Sequence, residues 1–142
     1  MNQLISFLQD SAHMVEQTTT ARLCGYAGMP DFVLKNGREF SPGKTCWALG
    51  KHNCFQHAAE AALLCRDYTY CEGYAAGIIA VLHAWIVDAK DGLVIETTWQ
   101  EMGTHYYGIP FRTDYIRGQL KLKRHYSMID QWEYDWPTIR TP

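Results

Sequence analysis

The residues best suited to do chemistry are a cysteine, Cys54, that opens an Ala- and Leu-rich segment, and a histidine, His83, set inside an apolar one. A thiolate, not a thiol, is the nucleophile, and a free cysteine titrates only near pH 8.5. The segment CFQHAAEAALLCRD, residues 54–67, favours helix. Asn53 suits the N-cap, which puts Cys54 in the first turn. A helix start offers partial positive charge and N–H groups without intrahelical partners, and both favour the anion. The same N–H groups can hold the oxyanion formed when a thiolate attacks a carbonyl. The alternative for any free cysteine is a small buried apolar side chain, the reading that suits Cys65 and Cys71.

His83 lies in VLHAWIVD. A histidine in such a strand must be hydrogen-bonded in the core or functional. Side chains alternate along a strand, so Val81, His83, Trp85 and Val87 share a face. The stretch AKDG, residues 89–92, reads as a turn. With a four-residue turn, Asp88 faces Leu93, His83 faces Thr98, and Glu96 becomes the diagonal same-face neighbour of His83. A three-residue turn would put the two on opposite faces. Asp88 ranks second as a carboxylate partner because it points the other way. A base that takes the thiol proton and a third group that fixes the imidazole are what thiol catalysis needs. The candidate set is therefore Cys54, His83 and Glu96, weighed against a satisfied core histidine and a solvated glutamate.

The elements that must position this set follow from pattern. Leu4, Leu8 and Val15 predict a helix over about Gln3 to Cys24. Residues 25–53 are punctuated by Gly and Pro and read as an irregular loop leading into Cys54. Strands are expected over Tyr68 to Ala75, Ile78 to Asp88, Leu93 to Trp99 and Tyr106 to Phe111. Arg112 to Tyr126 fits helix or strand, with Gly118 leaving it open. Trp132, Tyr134 and Trp136 are expected to pack across the core. Helix, loop, helix and then strands predict an α+β domain, with the Cys-bearing helix packed on an antiparallel sheet.

Bulk properties exclude several classes. At 142 residues the chain fits one domain, residues 1–142. The net charge of −2 and a densest basic run of only Lys121, Lys123, Arg124 and His125 argue against nucleic acid as a partner. The longest apolar run, Ala75 to Val87, is broken by His83 and too short for a membrane span. The opening MNQLISFLQDSAHMVEQ lacks the features of a signal peptide, so a cytoplasmic location is expected, bacterial or, for a phage protein or effector, host. The five cysteines, Cys24, Cys46, Cys54, Cys65 and Cys71, form neither an even set nor a CxxC pair, which argues against a disulfide framework. Neither GxGxxG nor GxxxxGK[ST] occurs, and no cofactor is expected.

The segments NCFQHA, HAW and VIETTW together resemble the transglutaminase-like branch of the papain-like cysteine enzyme superfamily, which also holds arylamine acetyltransferases and several bacterial effectors. The resemblance covers residues 53–99, a third of the chain. It implies a nucleophile at Cys54, a base at His83 and an orienting acid at Glu96, where the family more often has Asp. No Gln stands six residues before Cys54, so Asn53, His52 and Trp47 are the side-chain candidates for the oxyanion. A fainter likeness joins CFQHA, EGYA and YYGIPF to small bacterial and phage proteins. Within EGYA, Glu72 and Tyr74 either shape a pocket or, for Glu72, face solvent. Trp85, Trp99, Tyr106 and Tyr107 line an aromatic cleft or fill the core.

The function implied is cysteine-dependent acyl transfer from, or hydrolysis of, an amide, peptide or thioester through a covalent acyl-enzyme, with a protein or peptide amide as substrate. Two other readings stand beside it. One is a zinc site from His52, Cys54 and His57 with Cys46 or Cys71, whose spacing matches no common motif. The other is a non-catalytic binding or inhibitor module on the same fold.

Overall fold

The hairpin that carries His83 and Glu96 organises the sheet. In the computed structural model, which describes residues 3–16, 28–46, 53–122 and 126–129, the elements run α1 (Gln3–Glu16), α2 (Met29–Asn36), β1 (Arg38–Thr45), α3 (Cys54–Leu64), β2 (Tyr68–Ala76), β3 (Ala80–Asp88), β4 (Leu93–Glu96), β5 (His105–Phe111) and α4 (Thr113–Leu122). β3 and β4 pair with Ile86 opposite Ile95 and Val87 opposite Val94, the register of a four-residue turn over Ala89 to Gly92.

The architecture is mixed α and β, but the sheet is neither open nor purely antiparallel. The strand order β1-β4-β3-β2-β5 closes on itself, because β5 pairs back onto β1. β1 runs parallel to β4, and the other neighbours are antiparallel. Residues 25–53, expected to be irregular, thus supply a helix and the strand that closes the barrel. The reason β1 escapes a pattern search is physical. In REFSPGKT only Phe40 is buried, so no alternation of apolar and polar residues marks the strand. The register shifts between Pro42 and Lys44. A bulge tolerates the missing N–H of Pro42. A Cβ on Gly43 would lie 2.5 Å from the Val94 carbonyl oxygen, so only glycine lets β1 approach β4 there.

The closed sheet has two faces with separate cores. Inside lie Phe40, Cys71, Ala75, Trp85, Val87, Val94 and Tyr106. Few-stranded barrels are filled by side chains rather than left open. Trp85 does most of the filling, edge-on to Tyr106 at 5.1 Å and to Phe40 at 6.2 Å. Outside, Tyr70, Tyr74, Ala84, Ile86, Ile95 and Phe111 pack against the helices. α1 contributes Leu4, Leu8 and Ala12, one helical stripe. α3 presents Ala58, Ala59 and Ala62, whose small side chains let its axis come close to β2 and β3. The segment left open between helix and strand forms α4, with Ile116 buried. Trp132, Tyr134 and Trp136 lie outside the described residues. Among the described residues, no helix is long and apolar enough to cross a membrane.

Gly108 on β5 lies directly beneath Trp85: a Cβ there would sit 2.6 Å from the indole Cη2 and 2.7 Å from the Glu72 carbonyl oxygen. Overpacking a filled core costs about 1–3 kcal/mol. Gly108→Ala is therefore expected to lower the unfolding free energy by that amount, read as a lower urea midpoint at an unchanged m-value, whereas Gly118→Ala at an exposed position of α4 should leave the midpoint the same or raise it.

Candidate active site

Cys54 is the first residue of α3 and is half-buried. Asn53 holds the N-cap position, but not in the expected way. Its backbone is left-handed (φ 68°, ψ 47°), and its side chain makes no capping hydrogen bond. Among the described residues it is the only non-glycine residue with positive φ. Asn is one of the few residues that adopt this conformation at small cost. The N–H of His57 donates to the Asn53 carbonyl at 3.0 Å and closes the first turn. The N–H groups of that turn are left without a side-chain cap from Asn53.

His83 enters from the other face of the sheet. On β3 it alternates with Trp85 and Val87, so its ring points into the barrel near one end, where it is 2% exposed. Its Nε2 donates to both oxygens of Glu96, at 2.8 and 3.0 Å. The imidazole is also within hydrogen-bonding reach of Cys54. With Nε2 taken by the carboxylate, Nδ1 is the nitrogen left for the thiol. The indole of Trp99 stacks on the ring at 4.0 Å between centroids and 13° between planes, covering one face. The structure thus brings Cys54, His83 and Glu96 together. Asp88 ends β3, the strand of His83, and takes no part in the cluster; its carboxylate accepts from the Lys90 N–H.

Glu96 is fully buried and accepts from every side. Besides His83, its Oε1 accepts from the Tyr106 hydroxyl at 2.8 Å. Its Oε2 accepts from the N–H groups of Thr98 and Trp99, both at 3.1 Å. Tyr106 is fixed in turn by the Gly103 N–H at 2.9 Å. The sequence pattern missed Tyr106 as a partner of Glu96. Its place opposite Phe40 and Ala75, inside the barrel, follows only once β5 is known to close onto β1.

Electrostatics follow from this packing. Burial pulls the His83 imidazolium down, but hydrogen bonds to Cys54 and Glu96, with their charges, outweigh it and push the group up to about 9. Burial raises Glu96, yet its bonds to His83, the imidazolium charge and the Tyr106 and Trp99 donors leave it below its ordinary value near 4.5. Burial and the Glu96 charge raise Tyr106, so its hydroxyl stays a donor. Cys71, fully buried in the barrel, is pushed up by burial and kept as a thiol. Cys65, expected in the core, is instead half-buried at the C-cap of α3.

Glu72 is not solvent-facing. It is 0% exposed and lies on the outer face of β2. It accepts from the Tyr70 hydroxyl at 2.5 Å, Ser127 at 2.6 Å, and the N–H groups of Met128 at 2.6 Å and Ile129 at 2.9 Å. It holds the segment after α4 against the barrel. Tyr74 is buried in the outer core. Trp85 and Tyr106 are core, while Tyr107 donates its hydroxyl to the Leu34 carbonyl at 2.8 Å. His52, Trp47 and Cys24 lie outside the described residues. Among those described, no three His, Cys, Asp or Glu side chains converge as metal ligands; His57 instead has its Nδ1 3.3 Å from the Thr98 hydroxyl.

Comparison of the chain with family models, with curated proteins and with solved structures returns no match.

Two outcomes check this geometry. Because Cys54 contributes to the upward shift, the His83 ring, followed by NMR, should titrate near 9 in the wild type and lower in Cys54→Ala, with Glu96 still in place. An unmoved value would mean that the thiol does not face the ring. The native state also binds the His83 proton more tightly than the unfolded chain, whose histidines titrate near about 6.5. The stability this supplies is complete below that pH and is lost as pH rises through about 9. Glu96 acts in the opposite sense, contributing above its unfolded value and losing that contribution as pH falls through its lower native one. The wild-type melting temperature should therefore fall from pH 6.5 to 9 more steeply than that of His83→Gln.

Proposed function

We propose that the chain is a transglutaminase-like cysteine enzyme of the papain-like kind, which forms an acyl-enzyme on Cys54 from an amide, peptide or thioester. The observation that carries this reading is the imidazole of His83, held by Glu96 through Nε2 at 2.8 Å while Cys54 stands within reach of the same ring. A base oriented by a buried acid and aimed at a thiol at a helix start has the parts that nucleophilic catalysis uses.

The steps follow from those positions. The Cys54 proton passes to Nδ1 of His83. The thiolate sulfur then forms a bond to the carbonyl carbon, and the C=O π pair moves to oxygen. The N–H groups of the first turn of α3 stabilise that oxyanion. As the tetrahedral species collapses, the bond to the leaving group breaks, and the departing amine or thiol takes the proton from the imidazolium. A thioester on Cys54 remains. Water, or an amine acceptor, gives its proton to Nδ1 and attacks. The C–S bond then breaks and the thiolate is restored. Glu96 keeps the ring oriented throughout and stabilises its charged form, and Tyr106 acts as a positioning residue through Glu96.

Thiol alkylation and acylation on the purified protein test the proposal. Iodoacetamide at neutral pH should modify one cysteine fastest. That fast phase should vanish in Cys54→Ala and slow in His83→Gln. With an activated acyl thioester, a mass shift on Cys54 is expected, and His83→Gln should reduce its rate by about 10²–10⁴-fold, the range general-base catalysis supplies. Tyr106→Phe should keep the fold and the nucleophile but move the acid limb of the acylation profile to higher pH, because it removes a donor that lowers Glu96. If Cys54 alkylates no faster than Cys46 and Cys65, the enzyme reading falls.

A further inference from the structure

The side chain of Asn53 does not cap α3, so the place of Cys54 depends on how the helix seats on the sheet. Much of that seat is Ala58, Ala59 and Ala62, buried in the outer core. Contact between methyl groups is non-directional. It holds the helix close but constrains its rotation, and its slide along the sheet, only weakly. A hydrogen bond has a preferred distance and angle, and so supplies what the alanines do not.

His57 makes such a bond. Its Nδ1 lies 3.3 Å from the Thr98 hydroxyl, forty-one residues later in the chain. The Gln56 amide, in comparison, bonds within the helix to Glu60 at 2.9 Å. His57 stands one turn after Cys54 on the same face, about 4.5 Å along the axis. Thr98 is 2% exposed, and its N–H donates to Oε2 of Glu96 at 3.1 Å. Glu96 accepts from Nε2 of His83 at 2.8 Å, and that ring is within hydrogen-bonding reach of Cys54. The contacts therefore run in a closed circuit: Cys54, His57, Thr98, Glu96, His83 and back to Cys54. The gap between thiol and imidazole cannot widen unless one member of the circuit gives way. The bond to Thr98 is the member that joins the nucleophile's helix to the bend after β4. It holds in either protonation state of His57: a bare Nδ1 accepts the hydroxyl proton, and a protonated one donates to the hydroxyl oxygen. A His57 that only satisfied a buried hydroxyl would affect stability and leave the thiol–imidazole gap alone.

We infer that His57 is a positioning residue, which through Thr98 ties the helix carrying Cys54 to the bend that holds Glu96 and so sets the separation of thiol and imidazole. Its effect on rate rests on the acyl-enzyme reading of Cys54; its effect on geometry does not.

Four single variants and one double variant test it. His57→Asn keeps a polar atom where Nδ1 stands, and His57→Leu puts a methyl group there. Leucine is the better helix former and asparagine the poorer, so helix stability and positioning predict opposite orders. Thr98→Ser keeps the hydroxyl; Thr98→Val removes it and leaves the N–H to Glu96 in place. Acylation of Cys54 by an activated thioester should fall about 10- to 100-fold in His57→Leu and in Thr98→Val, the scale set by a misplacement of about 1 Å. His57→Asn and Thr98→Ser should stay close to wild type. His57→Leu combined with Thr98→Val should be no slower than the slower single variant, because both remove one bond. NMR of the His83 ring gives a readout that needs no substrate. In His57→Leu and Thr98→Val its titration should move down from about 9 towards the value in Cys54→Ala, as the thiol leaves the ring. That movement without acylation of the wild type would keep the positioning role and overturn the enzyme reading. A His83 titration unmoved in both variants, or acylation slower in His57→Asn than in His57→Leu, would overturn the positioning role and leave the nucleophile to be judged on wild-type acylation.

Discussion

The structure depends on a carboxylate placed where water cannot reach it. An ionised side chain inside a barrel costs several kcal/mol in lost hydration unless the protein replaces that hydration. Glu96 is 0% exposed, and the protein replaces its water with the His83 ring, the Tyr106 hydroxyl and two backbone N–H groups. Each replacement has a structural consequence. The N–H groups come from Thr98 and Trp99, so the chain must bend immediately after Glu96, and β4 ends there. That bend delivers Trp99 onto the imidazole. The ring, bound through Nε2, is left with one orientation and one free nitrogen. A single buried charge thus sets the length of a strand, the cover over the imidazole and the tautomer of that ring.

A second carboxylate shows what this arrangement requires. Glu72 is as buried as Glu96 and accepts four hydrogen bonds, two of them from backbone N–H groups. Yet burial drives Glu72 above its ordinary value despite those donors, whereas Glu96 is held below it. The two differ in the charge of their partners. Tyr70, Ser127 and the backbone of Met128 and Ile129 are neutral; His83 can carry a proton. Hydrogen bonds alone do not offset the loss of hydration here, and a facing cation does. Glu72 is therefore a structural clasp for the segment after α4. Glu96 is the carboxylate coupled to a proton that can move.

Much of the site was legible because hairpin geometry is strict. A period of two along VLHAWIVD and a four-residue turn leave Glu96 as the same-face neighbour of His83, and the observed register of Ile86 with Ile95 is the one that arithmetic requires. The Ala-rich helix after Asn53 was legible from propensity. The barrel was not. β1 carries one buried residue in eight, so nothing in its local pattern marks it as a strand, and its position is set by parallel pairing with β4 more than fifty residues later in the chain. With β1 hidden, the closure of the sheet was hidden too, and with it the interior position of Tyr106. Glu72 looked like a surface residue because its donors at Ser127, Met128 and Ile129 are some fifty-five residues away and leave no trace around EGYA. Local rules found what local geometry fixes, and long-range pairing supplied the rest.

Closure also decides where Cys54 and His83 meet. His83 points into the barrel and Cys54 starts a helix on its outer face, so the two meet only at the rim. The space behind the imidazole is filled by Trp85, Tyr106 and Phe40, packed edge to face. Trp99 closes the ring's stacked face as well. The outer surface beside α3 is not filled in this way. There a groove runs between α3, at His57, Glu60, Ala61 and Leu64, and the sheet residues Ile86 and Ile95. On the acyl-enzyme proposal, the same close packing that carries Cys54 to the rim would set the side from which a substrate approaches.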